Sequence, residues 1–249
     1  MKLVVRSLLD TKQCIGITDG SYLFNDPVSA RDEDDRKTIE EINDIQKKIE
    51  AENTAVAGTN RYVKIVLLAP LTVPQARPTA TSLKQILHTL QGSYTGLMRA
   101  NDSIDFGDPS TEKLQLLLAN EGSQQEAGTD FLDSIVKMSQ PDHPVVTVIG
   151  LGVSVPNTKT AAEYLAQRKI PMVNAVASAD DLTNLPLLWS VEPSNHDFVR
   201  ALGSFLDRQS ILKSGLIVYD QNTDLFTRSL ANDYRDQLGK PDQLVSRNK

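Results

Sequence analysis

The chain has 249 residues, 40% of them hydrophobic, which is enough apolar material for one large domain or two small ones. Its net charge of -6 argues against a surface built to hold nucleic-acid phosphates or an anionic membrane, because either partner requires a basic excess. The single cysteine, Cys14, cannot form an internal disulfide. No run of about 18 apolar residues is present, so we expect no membrane span.

Residues 1–59 differ from the rest and are predicted to form an N-terminal extension. Two short apolar segments separated by turn formers come first, and a charge-rich stretch follows. Four isoleucines in that stretch recur at spacings of three or four residues, at Ile39, Ile42, Ile45 and Ile49. This spacing predicts one face of an amphipathic helix. We expect the helix to dock on the domain, and the alternative is a short coiled-coil segment that forms a homodimer.

From Tyr62 onward, short apolar strands alternate with helical segments. The strands are predicted at 62–71, 113–122, 144–152, 170–178 and 214–220, with a shorter apolar segment at 185–193. The helices between and after them are predicted at 79–100, 128–139, 157–169, 194–209 and 223–239. This order indicates βαβ units and therefore an α/β fold of three layers, a parallel sheet with helices on both faces.

The loops that follow the strands are where an open α/β sheet binds its ligands. One of them lies in the stretch VVTVIGLGVSVPNTK (145–159), which has some features of a nucleotide site. A dinucleotide fingerprint would need glycine where Val155 stands, and a phosphate-binding loop would need glycine where Thr158 precedes Lys159. Ser154 also lacks the flanking glycines of a nucleophile elbow. We therefore assign no catalytic residue, cofactor or metal.

Hydroxyl and amide side chains near helix starts are the polar features that remain. Asn157 or Thr158 is predicted to cap one helix, and Asp180 and Asp181 are predicted to cap the turn after Ser178. The N-terminus of a helix presents free N–H groups that attract carboxylates. Several such caps meeting at one sheet edge predict a small-ligand site.

The order of segments from Tyr62 to about Leu238 resembles the type 1 periplasmic binding proteins, the ligand receptors of ABC transporters for branched-chain amino acids and similar solutes. The stretch VVTVIGLGVSVPNTKTAAEYLAQRKIPMVNAVASADDLT is similar to the family pattern in its length and in the spacing of its Gly, Ser, Ala and Pro residues. VKIVLLAPLT looks like the opening strand, and LWSVEPSNHDFVRAL like the crossing to a second lobe. The resemblance implies a first ligand-binding lobe at 60–193 and the crossover with an incomplete second lobe at 194–249.

The resemblance also implies site residues. Hydroxyls and backbone amides hold a ligand carboxylate in the family, the first loop touches the ligand, and the second lobe adds further contacts. The matching positions in this chain are Ser154, Asn157, Ala177 and Ser178 for the carboxylate, Leu71 and Thr72 for the first loop, and Tyr219 and Asp220 for the second lobe.

The expected function is non-enzymatic binding of a small, polar, amino-acid-like solute that carries a carboxylate, for ABC-type uptake or for sensing. The expected partners are the solute and an ABC permease or a downstream signalling protein. The family is extracytoplasmic, and its members carry a signal peptide. In this chain Arg6, Asp10 and Lys12 interrupt the N-terminal apolar segment that a signal peptide would need. The remaining interpretations are a truncated chain or a cytoplasmic relative. The alternatives are an enzyme on a Rossmann-like or flavodoxin-like sheet and an interaction domain of a larger cytoplasmic protein.

Overall fold

The structure is a computed structural model that describes residues 13–59, 61–73, 81–102, 112–139, 142–209, 218 and 224–238, together with the backbone of residues 6–7. The described strands are β1 (Arg6–Ser7), β2 (Cys14–Thr18), β3 (Tyr62–Ala69), β4 (Lys113–Asn120), β5 (Val145–Gly150), β6 (Met172–Asn174) and β7 (Leu188–Ser190). They form one sheet in the order β1-β2-β4-β3-β5-β6-β7. Strands β3 to β7 are mutually parallel, and β1 and β2 extend one edge in antiparallel orientation.

Six α-helices are described around this sheet. They are α1 (Glu33–Ala57), α2 (Leu83–Asp102), α3 (Thr129–Lys137), α4 (Pro156–Gln167), α5 (Asn195–Leu206) and α6 (Leu225–Leu238). Side chains of α1 and α2 form a core with one face of the sheet, and those of α3 and α4 form a core with the other. The predicted three-layer α/β fold is confirmed. No helix that the structure describes is both long and apolar enough to cross a bilayer.

Strand β3 shows why these segments are continuously apolar. Val66 and Leu68 point into the core beneath α3 and α4, whereas Leu67 and Ala69 point into the core beneath α1 and α2. A strand that is covered on both faces needs apolar residues at every position. Pro70 follows the last residue of the strand.

The N-terminal segment is part of this architecture. Residues 16–18 of β2 pair with residues 118–120 of β4. Helix α1 buries Ile42 and Ile49 completely in the same core as α2, so the isoleucine stripe docks within the chain, and the coiled-coil alternative does not describe it. The division of the chain into an extension, a first lobe and an incomplete second lobe stays a prediction.

Several predicted element ends were wrong. Strand β6 ends at Asn174 because its side-chain Oδ1 accepts hydrogen bonds from the N–H groups of Val176 and Ala177, which turns the chain. Helix α4 begins at Pro156 with Val155 as its N-cap, so neither Asn157 nor Thr158 caps it.

Two aspartates also fall inside an element that they were expected to cap. Asp180 and Asp181 lie in a short 3-10 helix, Asp180–Leu182, whose N-cap is Ala179. Ser194 and Asp197 form a capping box at the start of α5. The strand predicted at 214–220 lies outside the described residues, except for Val218.

Candidate functional site

The carboxyl ends of β3 and β5 form the topological switch point of the sheet. The two strands are neighbours, with Leu68 paired to Gly150, but β3 leads to α2 on one face and β5 leads to α4 on the other. Ligands of open α/β sheets bind where such loops diverge. The predicted residues Leu71, Thr72 and Ser154 follow these two strands directly, so the fold places them at this edge.

A buried glutamine, Gln125, bridges two loops at this edge. Its Oε1 accepts a hydrogen bond from Val153 N at 3.0 Å, and its Nε2 donates to Thr158 Oγ1 at 2.9 Å. The predicted residue Asn157 donates from Nδ2 to the Gln125 carbonyl at 2.9 Å. These bonds fasten the loop after β4 to the loop after β5, which gives Asn157 a positioning role in this structure.

The glycines of the β5–α4 loop make room for that bridge. Gly152 has a φ of +66°, and a Cβ at this position would overlap the side chain of Gln125. Gly150 has a φ of +95°, and a Cβ there would lie 2.9 Å from Leu68 O. The glycines that looked like an incomplete nucleotide motif therefore permit close packing of a left-handed backbone.

The predicted residues Ser154, Ala177 and Ser178 come together at the next pair of strands. Ser154 Oγ accepts hydrogen bonds from Ser178 N at 2.9 Å and from Ala179 N at 3.1 Å. Ser178 Oγ in turn donates to Asn195 Oδ1 at 2.9 Å. Ser154 thus holds the loop after β6 in place, and it satisfies N–H groups that were expected to face a ligand.

Helix α6 contacts the same region. Phe226 N donates to the Ser154 carbonyl at 3.3 Å, and Asn195 Nδ2 donates to the Phe226 carbonyl at 3.1 Å. Asp180 accepts hydrogen bonds from Ser229 Oγ and from His196 N. The start of α6 therefore packs directly on the loops that carry the predicted site residues.

The carboxyl groups of Asp180 and Asp233 lie next to each other at this contact. Burial raises the pKa of Asp233, and the adjacent Asp180 carboxyl raises it further. Burial also acts to raise the pKa of Asp180, but hydrogen bonds from Asp233, Ser229 and the His196 backbone lower it overall. His196 Nδ1 lies 3.2 Å from Asp233 Oδ1. In the described part of the chain, no group of three or more His, Cys, Asp or Glu side chains is arranged to hold a metal ion.

The first-loop residues are covered by the N-terminal segment. Leu71 and Thr72 are 2% and 5% exposed, and Thr72 Oγ1 donates a hydrogen bond to Gln13 Oε1 at 3.0 Å. Ser123 N donates to the same oxygen at 2.8 Å. The resemblance did not anticipate this arrangement, because it begins at Tyr62 and therefore does not include Gln13.

Glu121, just after β4, is another buried polar group that the sequence did not single out. It is 3% exposed, and its Oε1 has no hydrogen-bond partner among the described residues. Burial raises the pKa of Glu121 to about 8. The side chain is therefore mostly protonated at neutral pH.

An open cavity of about 530 Å³ lies beside β7, between the loop after β6 and the start of α5. Ala177 and Ser178 contribute to its wall. Its remaining polar and charged side chains are Thr183, Ser190, Glu192, Ser194, Asp197 and Arg200. Arg200 Nη2 lies 2.8 Å from Asp197 Oδ1. The volume is in the range of small-molecule sites, and the lining carries both signs of charge.

Sequence reasoning did not place Arg200, Glu192 or Asp197 in the site. Asp197 and Arg200 lie three residues apart on α5, so they share a helix face, which was the one available signal. Asp220 and Tyr219, predicted to contribute from the second lobe, lie outside the described residues.

No family model and no curated protein matches this sequence. Solved structures do match. An ABC transporter substrate-binding protein from Desulfitobacterium hafniense aligns at 18% identity and a TM-score of 0.56, over 76% of this chain and 51% of that chain. A structure under the same name and organism, in complex with Leu, aligns at 20% identity and a TM-score of 0.52, over 75% of this chain and 50% of that chain.

The third comparison agrees. A possible leucine/isoleucine/valine-binding protein from Rhodopirellula baltica SH 1 aligns at 18% identity and a TM-score of 0.52, over 75% of this chain and 48% of that chain. The fold is that of a type 1 periplasmic binding protein. This chain spans about half the length of these structures.

Proposed function

We propose that the chain binds a small, polar, amino-acid-like solute without chemical conversion, in the cavity beside β7. The observation that carries the proposal is the lining of that cavity, where Arg200 stands with Glu192 and Asp197 around a volume of about 530 Å³. An amino acid carries one carboxylate and one ammonium group. A cavity with a guanidinium and two carboxylates offers an opposite charge to each.

The cavity residues and four of the predicted residues have distinct roles in this proposal. Arg200 binds the solute carboxylate, and Glu192 or Asp197 accepts hydrogen bonds from the ammonium group. Ala177 and Ser178 form the adjoining wall. Ser154 acts through them, because it fixes the backbone amides of that wall. Contacts from Asp220 would belong to a second lobe that closes over the solute by hinge motion.

The solved neighbours support the biological setting of the proposal. Their names describe ABC transporter substrate-binding proteins, one of them in complex with Leu. We infer by likeness a role in solute uptake with an ABC permease, or in sensing, outside the cytoplasm. The enzyme alternative has no comparable support, since the named neighbours are binding proteins.

The experiment is isothermal titration calorimetry of the wild-type chain and of Arg200→Ala against each of the twenty amino acids. Loss of a charge-assisted hydrogen bond reduces affinity by about 10- to 100-fold. Arg208→Ala is the matched control, because Arg208 is exposed just after α5 and its Nε donates to Ser204 O, away from the cavity lining. Equal affinities for the wild type and Arg200→Ala would refute the placement of the solute in this cavity.

Ser178→Ala tests the wall separately. Ser178 lines the cavity and its hydroxyl donates to Asn195 Oδ1, so we expect a several-fold weaker affinity with the fold retained. Unchanged affinity would remove Ser178 from the site.

A further inference from the structure

Two hydrogen-bond donors converge on one oxygen atom at the carboxyl ends of β3 and β4. Thr72 Oγ1 and Ser123 N donate to Gln13 Oε1 at 3.0 and 2.8 Å. Thr72, Ser123 and Gln13 are all at least 95% buried. The arrangement is that of a site for one carboxylate oxygen, built from a hydroxyl and a backbone amide and filled by a side chain of the same molecule.

The orientation of the Gln13 amide follows from its partners. Ser123 N is a backbone donor, so the atom that faces it must be the acceptor Oε1 rather than Nε2. Gln13 Nε2 is then left buried with no partner among the described residues. A buried unpaired donor is unfavourable. The donors therefore complement the oxygen of Gln13, whereas no group among the described residues pairs with its amide nitrogen.

The neighbouring loops hold the two donors in place. Asn120, at the end of β4, accepts hydrogen bonds at Oδ1 from Leu71 N and Gly122 N. Its Nδ2 donates to the Cys14 carbonyl at 2.7 Å and lies 3.3 Å from Thr72 Oγ1. Asn120 thus holds the two donors in place, and we expect them to keep their positions when the Gln13 side chain is removed.

We propose that Thr72 Oγ1 and Ser123 N form a second carboxylate-binding subsite, which Gln13 occupies as an internal surrogate and from which a carboxylate solute displaces it. A carboxylate accepts both hydrogen bonds through a charged oxygen and leaves no buried N–H unpaired. The inference goes beyond the proposed function, because the subsite lies at β3 and β4, three or more strand positions along the sheet from the cavity beside β7, and it takes a carboxylate independently of that cavity. The segment carrying Gln13 then competes with such solutes.

The test is chemical rescue of Gln13→Ala in the full chain. The variant empties the subsite, and sodium acetate, acetamide and sodium chloride are added separately at equal concentration during thermal unfolding. We expect acetate to raise the melting temperature of Gln13→Ala by about 2–4 °C above its effect on the wild type, the size of shift that modest ligand binding gives in a chain of this length. We expect acetamide and chloride to give no more than a fraction of that shift.

Gln115→Ala is the matched control. Gln115 is a buried glutamine whose Nε2 donates to Asn53 O, away from the subsite, so its removal leaves a comparable void without converging donors. Selective rescue of Gln13→Ala by acetate supports the proposal. Rescue by acetamide alone, or equal responses of the two variants, overturns it. Gln13→Asn, which shortens the side chain by one methylene, serves the same measurement if Gln13→Ala does not fold.

The double variant Gln13→Ala/Arg200→Ala separates this inference from the proposed function. A response to acetate that survives the loss of Arg200 locates acetate at Thr72 and Ser123, even if no amino acid binds the wild-type chain. A response that disappears with Arg200 locates acetate in the cavity beside β7 and overturns the second subsite.

Discussion

Glu121 provides a quantitative test of the buried polar edge of the sheet. Burial raises the pKa of Glu121 from 4.5 to about 8, so between these values the folded chain holds a proton that the unfolded chain has lost. The free energy of unfolding therefore falls as pH rises, by about 1.4 kcal/mol for each pH unit over which the two states differ by one proton. From pH 5 to pH 8, this group alone lowers the free energy of unfolding by about 3–4 kcal/mol.

Glu121→Gln isolates the effect, since glutamine keeps the shape of the side chain but does not titrate. We expect the variant to be within about 1 kcal/mol of the wild type at pH 5 and more stable than the wild type at pH 8. Urea unfolding followed by circular dichroism at several pH values gives both curves. Glu163→Gln, at an exposed position of α4, is the control and should keep the wild-type slope. Parallel curves for the wild type and Glu121→Gln would refute the reasoning.

Three further substitutions test the packing of the site, each measured by urea unfolding at neutral pH. Gly152→Ala should lower the free energy of unfolding by about 2–4 kcal/mol, because a Cβ there strains a φ of +66° and displaces the side chain of Gln125. Gly96→Ala is its control, and because the space around Gly96 is open, this variant should be neutral or slightly stabilising. Ser154→Ala should cost about 1–3 kcal/mol, because two buried N–H groups lose their acceptor; a cost near zero would mean that water replaces it. Ile42→Ala should lower the free energy of unfolding by about 2–5 kcal/mol, because Ile42 is completely buried. A change below about 0.5 kcal/mol, as is usual for a surface residue, would contradict the docking of α1 on the sheet.

The central strands of the sheet were predictable, because helices cover both faces of these strands and their sequences are therefore continuously apolar. Residues 62–71 and 113–122 were read as buried strands for this reason, and β3 and β4 lie within them. The ends of the elements were not predictable, because they depend on particular side chains and hydrogen bonds that the pattern of apolar residues does not reveal. The amide of Asn174 ends β6 early, and Pro156 as the first residue of α4 moves the helix start ahead of Asn157.

The site was predictable only in part. Ser154, Ala177 and Ser178 were expected at one sheet edge, from their positions after predicted strands and from the family resemblance, and the structure brings them together after the neighbouring strands β5 and β6. The bridge made by Gln125 and the occupation of Thr72 by Gln13 were not predictable, because each joins segments that are far apart along the chain. Glutamine is also common on surfaces, so its presence in a loop does not announce a buried role. The ligand roles assigned by resemblance stay predictions.

The most direct test of solute binding is a titration of the ¹⁵N-labelled chain with each amino acid, followed by ¹H–¹⁵N correlation spectra. Concentrations on the order of 10 mM populate even a site with a dissociation constant near 1 mM. We predict saturable shifts of the backbone signals of Ser178, Ser190, Ser194 and Arg200 with at least one amino acid, and no such shifts with the uncharged amide and ester derivatives of its carboxylate. Spectra in which these signals stay unchanged throughout the panel would contradict the binding of an amino-acid-like solute in this cavity.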